Sequence, residues 1–433
     1  MRKIKIKSSF IKDFASYGLV GVLGKAINIF AIPFYVRLLE VSEFGVLDLF
    51  SSSLAILTLV STFQLETSFL RFYSQLETKS DIKKYFSTGL NGVSLLMAPF
   101  CLISYFVLYP FFKDFDIRIL YGIIALIPVK SLYAYMTCLF RVTFDRELFV
   151  KINLINIIGV PALSIFLVYL DYGVLGIVMA TLAINLIALL VVILKTKDYY
   201  VSKLDKIVLK SMLQYCLPLI PSSFSVTLQQ NLMRFVILSF LGVEILGYYA
   251  FALKVFIPFA LIIQSLKMAW YPRAYQIFDK ETNYIEKFKK IEKFYFLIIG
   301  VLFIVLMIVS VPAINFVGGD KMEGSTEIVQ LIGLIFLLRA ASYFYIVIQN
   351  IKKTTKLILL INFTSLVFLV LSLFVLVQLD QLTISNVILT EVFTEGCKLV
   401  MVYFISKKQL PDSFNYGYSI GIVAILLILS LFI

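Results

Sequence analysis

Ten ionisable side chains lie inside runs that are otherwise apolar enough to cross a bilayer. Six are basic (Lys25, Lys130, Arg234, Lys254, Arg339 and Lys398) and four are acidic (Asp48, Glu66, Glu391 and Glu395). A charge near mid-bilayer costs about 2.5–3.5 kcal/mol on insertion scales, so it normally faces a protein interior or a water-filled path. Lys25, Lys130 and Arg339 fall close to the middle of their runs, where a long side chain cannot readily snorkel to the headgroups. Four acids cannot neutralise six bases. Structural ion pairs such as Glu395 with Lys398 therefore account for only part of the set. The excess of positive charge suits an anionic cargo such as a phosphate or pyrophosphate.

Glu391, Glu395 and Lys398 occupy positions i, i+4 and i+7, one face of a helix. Two like charges one turn apart in a low dielectric disfavour joint ionisation, which is the property of a proton-coupling site. A neutralised structural triad is the alternative reading of the same spacing. Asp48 and Glu66 are the other candidate ion-coupling acids.

Hydrophobic residues make up 61% of the 433-residue chain, well beyond what a soluble core uses. The fold class expected is all-α and polytopic, since a transmembrane barrel would show short alternating segments instead. Candidate spans fall at 14–36, 45–67, 86–109, 118–140, 152–170, 174–194, 213–240, 248–270, 294–316, 326–349, 357–378 and 385–405, about 12 helices. A further apolar run, 417–433, is at the lower limit for a thirteenth. The basic start MRKIKIKSSFIKDF leads into a full span with no small-residue cleavage site, so no cleavable signal is expected. The net charge of +13 resides mostly in short loops, among them 71–84, 195–210 and 267–293, which argues for lipid headgroups and against nucleic acid. The opposite loops hold only Arg37, Lys113, Arg118 and Lys321. That asymmetry predicts a cytoplasmic N-terminus. The loop 271–293 reads either as an amphipathic helix on the inner leaflet or as a solvated connector.

The chain has no histidine, and its four cysteines (Cys101, Cys138, Cys216 and Cys397) are dispersed within candidate spans. Neither a disulfide framework nor a metal site is expected. No phosphate-binding glycine loop and no nucleophile with a paired base is present. The chain therefore reads as neither an enzyme nor a cofactor-binding protein.

A faint internal repeat relates Leu39-x-Val41-x-x-x-Gly45 to Leu241-x-Val243-x-x-x-Gly247. It suggests two parallel six-span halves with a site at mid-depth. The expected division is 1–200 (spans one to six), 201–406 (spans seven to twelve) and 407–433 (a basic loop and the extra apolar run). Of the prolines within spans, Pro218 and Pro221 together mark the likeliest place for a bend.

The stretch YGLVGVLGKAINIFAIPFYVRLLEVSEFGVLDLFSSSLAILTLVSTFQLETSFLRFY (17–73) resembles the N-terminal signature of bacterial polysaccharide-repeat-unit flippases, including the O-antigen flippases. These belong to the multidrug/oligosaccharidyl-lipid/polysaccharide (MOP) superfamily and are related to MATE transporters. The features that carry the resemblance are the Gly-Lys of span one, the proline before Arg37, the Leu39-Glu40…Glu43-Phe44-Gly45 turn and Arg71-Phe72-Tyr73. LPLIPSSFSVTLQQNLMRFVILSFLGVEILGYYAFALKV (217–255) agrees with it. Where family members commonly carry an acid next to arginine, this chain has Met233-Arg234, so Arg234 lacks the family's adjacent acid.

The resemblance implies two six-helix lobes related by pseudo-two-fold symmetry, in a MATE-like V shape. It implies alternating access and a cargo of oligosaccharide on undecaprenyl pyrophosphate, moved from the inner to the outer leaflet of the bacterial plasma membrane. Membrane lipids, a polysaccharide polymerase and a chain-length regulator are the implied partners. A multidrug or cation antiporter of the same fold is the first alternative, and the positive interior argues against it. A membrane polymerase or ligase is the second, and the small external loops and absent histidine argue against it.

Overall fold

Inside a bilayer a backbone amide finds no water, so a long apolar run must close its own hydrogen bonds as a helix. The structure, a computed structural model, describes residues 23–24, 26–143, 145–352 and 354–429, and every regular element among them is helical. Lys25, the basic N-terminal segment, Lys353 and residues 430–433 lie outside the described residues. The chain divides into two compact units, Met1–Phe235 and Val236–Ile433.

The first unit contains α1 (Ala26–Leu38), α2 (Val41–Ser61), α3 (Leu65–Tyr73), α4 (Lys79–Phe112), α5 (Ile117–Val142), α6 (Arg146–Tyr169), α7 (Gly173–Thr196), α8 (Lys206–Cys216) and most of α9 (Ile220–Leu241). The turn before α2 is a helix cap. The Glu40 N–H donates to Glu43 Oε2 at 2.9 Å, satisfying one of the amides that a helix start leaves orphaned. Glu43 in turn covers Gly173 at the head of α7. A Cβ there would lie 2.4 Å from Glu43 Oε1 and the backbone has φ +51°, so a side chain would be strained and would displace the Glu43 carboxylate.

Between α2 and α3 the chain breaks at Phe63 (φ 51°) and Gln64 (φ 58°), two consecutive left-handed residues that are not glycine. Such conformations cost about 1–3 kcal/mol each and persist only where surrounding packing holds them. The packing is present: Leu65 and Phe69 of α3 are fully buried in a core shared with Phe86 and Tyr135. The Tyr135 hydroxyl donates to the Phe86 carbonyl at 3.1 Å. The helix tightens to a 3-10 turn at 217–219, between α8 and α9, with Pro218 inside the turn and Pro221 at the start of α9.

The second unit contains α10 (Val243–Val255), α11 (Ile257–Lys280), α12 (Tyr284–Gly318), α13 (Thr326–Ile351), α14 (Thr355–Gln378), α15 (Ile384–Gln409) and α16 (Tyr416–Leu429). α2 and α10 begin at Val41 and Val243, matching positions of the sequence repeat. α10 and α11 meet at a 46° bend just before Pro258. Tyr284–Ile351 is an apolar helical run of 68 residues. At 1.5 Å per residue this is about 100 Å, roughly three hydrocarbon cores. It turns back at Gly319 (φ 58°) and the non-helical Met322, which separate α12 from α13.

The 271–293 connector is neither a separate surface helix nor a loose loop. α11 runs through it to Lys280 and α12 starts at Tyr284. Its apolar residues pack on protein: Ile277 and Phe288 are buried, and Phe288 sits edge-on to Trp270 at 5.4 Å, which stacks on Phe344 at 5.1 Å.

On α12, fully buried Glu292 accepts from the Tyr345 hydroxyl (2.8 Å), the Asn415 N–H (2.5 Å) and the Ser419 hydroxyl. Three neutral donors thus seat the start of α16 on α12. The 14 described residues of α16 rise about 21 Å, short of a 30 Å core.

Candidate functional site

Helical spacing brings the charged residues of the second unit together. Glu391, Glu395 and Lys398 share a face of α15, and that face meets Arg339 on α13. Arg339 Nη2 donates to Glu391 Oε1 at 2.6 Å and its Nε donates to Glu395 Oε1 at 2.7 Å. Glu391 Oε2 also accepts from the Tyr249 hydroxyl of α10 at 3.3 Å. Lys398 Nζ lies 3.8 Å from Glu395 Oε2, an ionic contact beyond hydrogen-bond range, and that oxygen accepts no hydrogen bond. Glu391, Glu395 and Lys398 are 2%, 1% and 7% exposed, so water does not screen them. Arginine's planar fork can bond two carboxylates at once in a fixed geometry, and Arg339 uses it that way. The Glu395–Lys398 contact expected from sequence is present, and Arg339 is the stronger partner.

Lys267 belongs beside this cluster. Its position between Gln264 and Trp270 reads as the start of a loop, yet α11 continues for three more turns and holds it half-buried. Its ammonium lies over the ring of Tyr343 (4.5 Å) and near that of Tyr271 (5.5 Å), a cation–π arrangement. The Tyr271 hydroxyl donates to the Tyr343 backbone carbonyl at 3.3 Å, which restrains the Tyr271 ring. The signal in the sequence was the pair of i, i+4 steps, Lys267 to Tyr271 and Arg339 to Tyr343. Lys254 is half-buried in the last turn of α10, where the helix carbonyls favour a cation, directly before the 46° bend.

In the first unit Arg234 of α9 finds its acid on another helix. Its Nε donates to Asp48 Oδ2 of α2 at 2.8 Å, and Nη1 donates to the Gln230 carbonyl. The acid missing next to Arg234 in sequence is replaced in space by Asp48. Lys130 is half-buried on α5, with no carboxylate within 4 Å among the described residues. One turn along, the Tyr133 hydroxyl and the nearby Asn156 Oδ1 of α6 are buried without hydrogen bonds. Glu66 lies just past the break at Phe63 and Gln64, and its buried Oε2 accepts no hydrogen bond. Lys25 lies outside the described residues.

In the cluster of the second unit, Arg339 and Lys398 stand against Glu391 and Glu395, two charges of each sign. Beside it, α12, α13, α15 and α16 line a half-open apolar cavity of about 320 Å³, with Phe296, Leu338, Tyr403, Val423 and Leu427 among its residues.

The helical architecture is that of MOP-superfamily transporters. The inward-closed structure of the lipid II flippase MurJ superposes with TM-score 0.66 at 15% identity, over 95% of this chain and 91% of that one. An inward-facing multidrug-resistance MATE transporter matches with TM-score 0.61 at 13% identity, over 89% of this chain and 95% of that one. A MOP-superfamily transporter from Pyrococcus furiosus, described as having a binding pocket of reversed polarity, matches with TM-score 0.58 at 14% identity, over 92% and 95%. The chain belongs to the polysaccharide biosynthesis protein family, whose model matches residues 34–327, more than half of its length. A comparison with curated protein sequences gives no match.

Proposed function

We propose that this protein is a flippase that carries oligosaccharide repeat units linked to undecaprenyl pyrophosphate from the cytoplasmic to the outer leaflet of the bacterial plasma membrane. The product serves surface polysaccharide such as O-antigen or capsule. Family membership supports the pathway. The observation that carries the cargo class is the set of membrane-embedded cations, Lys130, Lys267 and Lys398, that make no hydrogen bond to a carboxylate. A diphosphate crossing a hydrocarbon core needs its hydration replaced, and ammonium groups do that. An apolar cavity lined by Phe296, Leu338 and Val423 suits an alkyl chain better than a sugar.

In this reading Lys25, Lys130, Arg234, Lys254, Arg339 and Lys398 line or support the cargo path, and Asp48, Glu66, Glu391 and Glu395 are the candidates for ion coupling. Two six-helix lobes alternate access between the leaflets. The N-terminus is cytoplasmic, no covalent chemistry is performed, and a polymerase receives the cargo outside.

The test is reconstitution in proteoliposomes with a fluorescent lipid-linked oligosaccharide. Protein-dependent appearance of the glycan in the opposite leaflet is expected. Export of organic cations, with no movement of the lipid-linked glycan, would establish the antiporter reading instead.

A further inference from the structure

The stretch that joins α7 to α8 is strapped to α4. The Val201 N–H donates to Ser87 Oγ at 2.7 Å, and that hydroxyl donates to the Tyr199 carbonyl at 3.2 Å. The Asp205 N–H donates to Thr88 Oγ1 at 3.3 Å, and the Tyr200 hydroxyl donates to Asn91 Oδ1 at 3.2 Å. Lys84 pairs with the Asp205 carboxylate at 2.7 Å, and the same carboxylate caps α8 through the Ile207 and Val208 N–H groups. The first turn of α8 is therefore held in place by α4.

Packing sets how deep α8 lies. Val208, Met212 and Cys216 are buried in the core of the first unit. Gly92 of α4 leaves the space that Leu209 fills, since a Cβ there would stand 2.7 Å from Leu209 Cδ1. A Cβ on Gly89 would likewise stand 3.0 Å from Met212 Cε. The partners of α8 on α4 thus run from Lys84 to Gly92, about 12 Å of helix at 1.5 Å per residue. Lys84 belongs to the charged first turns of α4, and Gly92 to its apolar run. A helix of 11 residues kept within that band lies along the membrane interface instead of crossing the bilayer.

The face of α8 turned away from the core mixes charge with apolar surface. Lys206 and Lys210, one turn apart, are exposed, and neither has a carboxylate within 4 Å among the described residues. Ile207 is 82% exposed and Leu217 is 51% exposed. Lys206, Lys210, Leu213 and Leu217 border one open hollow of about 350 Å³ along this flank. Paired ammonium groups beside exposed aliphatic side chains are complementary to a lipid with a negative headgroup and a hydrocarbon tail.

We propose that the outward face of α8 docks one anionic phospholipid, with its phosphate on Lys206 and Lys210 and an acyl chain along Leu213 and Leu217. The lipid is a resident of the bilayer and not cargo, so the site stands whatever the protein transports. Through the strap to α4, it ties the segment between α7 and α9 to the membrane surface.

The test uses the full-length protein in detergent, stripped of lipid and titrated with phosphatidylglycerol or with phosphatidylcholine of the same chains. Bound lipid is counted by native mass spectrometry. Phosphatidylglycerol should bind about tenfold more tightly, the scale of two lysines at a charged headgroup. K206Q/K210Q should erase that preference, and K206R/K210R should keep it. Both lysines are exposed, so melting of either double variant should match wild type. K407Q/K408Q removes the same net charge at the end of α15 and should leave the preference intact. L217S should shrink the affinity gained on lengthening the acyl chains while keeping the preference for the anionic headgroup. Equal affinity of wild type for the two lipids overturns the site. So does a preference that survives K206Q/K210Q, or one that K407Q/K408Q lowers to the same extent. A lipid-free dimer that I207E dissociates overturns it too, and assigns the face to a second copy of the chain.

Discussion

The two units handle buried charge in opposite ways. In the second, Arg339, Glu391, Glu395 and Lys398 form one network in which each charge has an opposite neighbour within 4 Å. In the first, among the described residues, Asp48 and Arg234 are joined in that manner, while Lys130 has no carboxylate within reach and Glu66 keeps an unbonded oxygen. A network is assembled once and is costly to break, because removing one member strands the others. An isolated charge has nothing to strand, so its loss tests function with little effect on folding.

The largest effect should follow R339M, which leaves Glu391 and Glu395 adjacent and without their main counter-charge. About 3–5 kcal/mol of stability should be lost, seen as a collapse of monodisperse protein in detergent and a lower melting temperature. Replacing Arg339, Glu391 and Glu395 together by apolar residues should recover much of that stability without recovering transport. A single R339M variant as stable as wild type would break the contrast between the units.

Next in size is Lys130→Ala. Transport should fall by an order of magnitude or more while melting stays within about 1 kcal/mol of wild type, since no ion pair is lost. A drop in stability comparable to R339M would mean that Lys130 is structural.

Coupling sharpens the comparison. Asp48, Glu391 and Glu395 each accept a hydrogen bond from an arginine, whereas among the described residues Glu66 accepts none from an arginine. The groups around Glu66 are Arg141, Tyr135 and Cys138 of α5 and Cys216 of α8. Glu66→Gln should flatten the dependence of transport on an imposed pH gradient at unchanged protein level, and Glu391→Gln should lower stability while preserving that dependence. Reversed results in proteoliposomes would move coupling to α15, where the i, i+4 spacing first placed it.

The smallest effect lies outside the membrane. Asp205 caps α8 by accepting from the Ile207 and Val208 N–H groups (2.9 and 3.0 Å) and pairs with Lys84 at 2.7 Å. Lys84 and these amides hold its carboxyl below the usual carboxylate range. The contribution is complete above that usual range and disappears as pH falls through the lowered value. Asp205→Asn keeps the cap and removes the pair, so it should narrow the difference in melting temperature between neutral and acidic buffer slightly.

Much of the fold was legible because period and length are local properties. The spans expected at 118–140, 326–349 and 357–378 coincide with α5, α13 and α14 within a few residues. The turn at Leu39–Gly45 was visible as a motif, and its structure explains it as a cap lying on Gly173. What escaped depends on partners distant in sequence. Asp48 and Arg234 are 186 residues apart, so nothing near Met233 could announce the pair. Lys267 was hidden because its stretch carries polar residues and a proline at 272, which mimic a loop. The aromatic packing of Trp270 on Phe344 keeps that stretch helical. The break at Phe63 and Gln64 has neither glycine nor proline to mark it.

The seat of α16 on Glu292 has a consequence in time. The Asn415 amide and the Ser419 hydroxyl come 123 and 127 residues after the carboxylate they bond. At about 5–20 residues per second, a ribosome needs roughly 6–25 s to supply them. Over that interval the nascent second unit carries a carboxyl group that gains only one of these three partners, Tyr345, 53 residues on. A chain arrested before Asn415 should therefore be held longer by the insertion machinery or cut faster by proteases than one extended through Ser419.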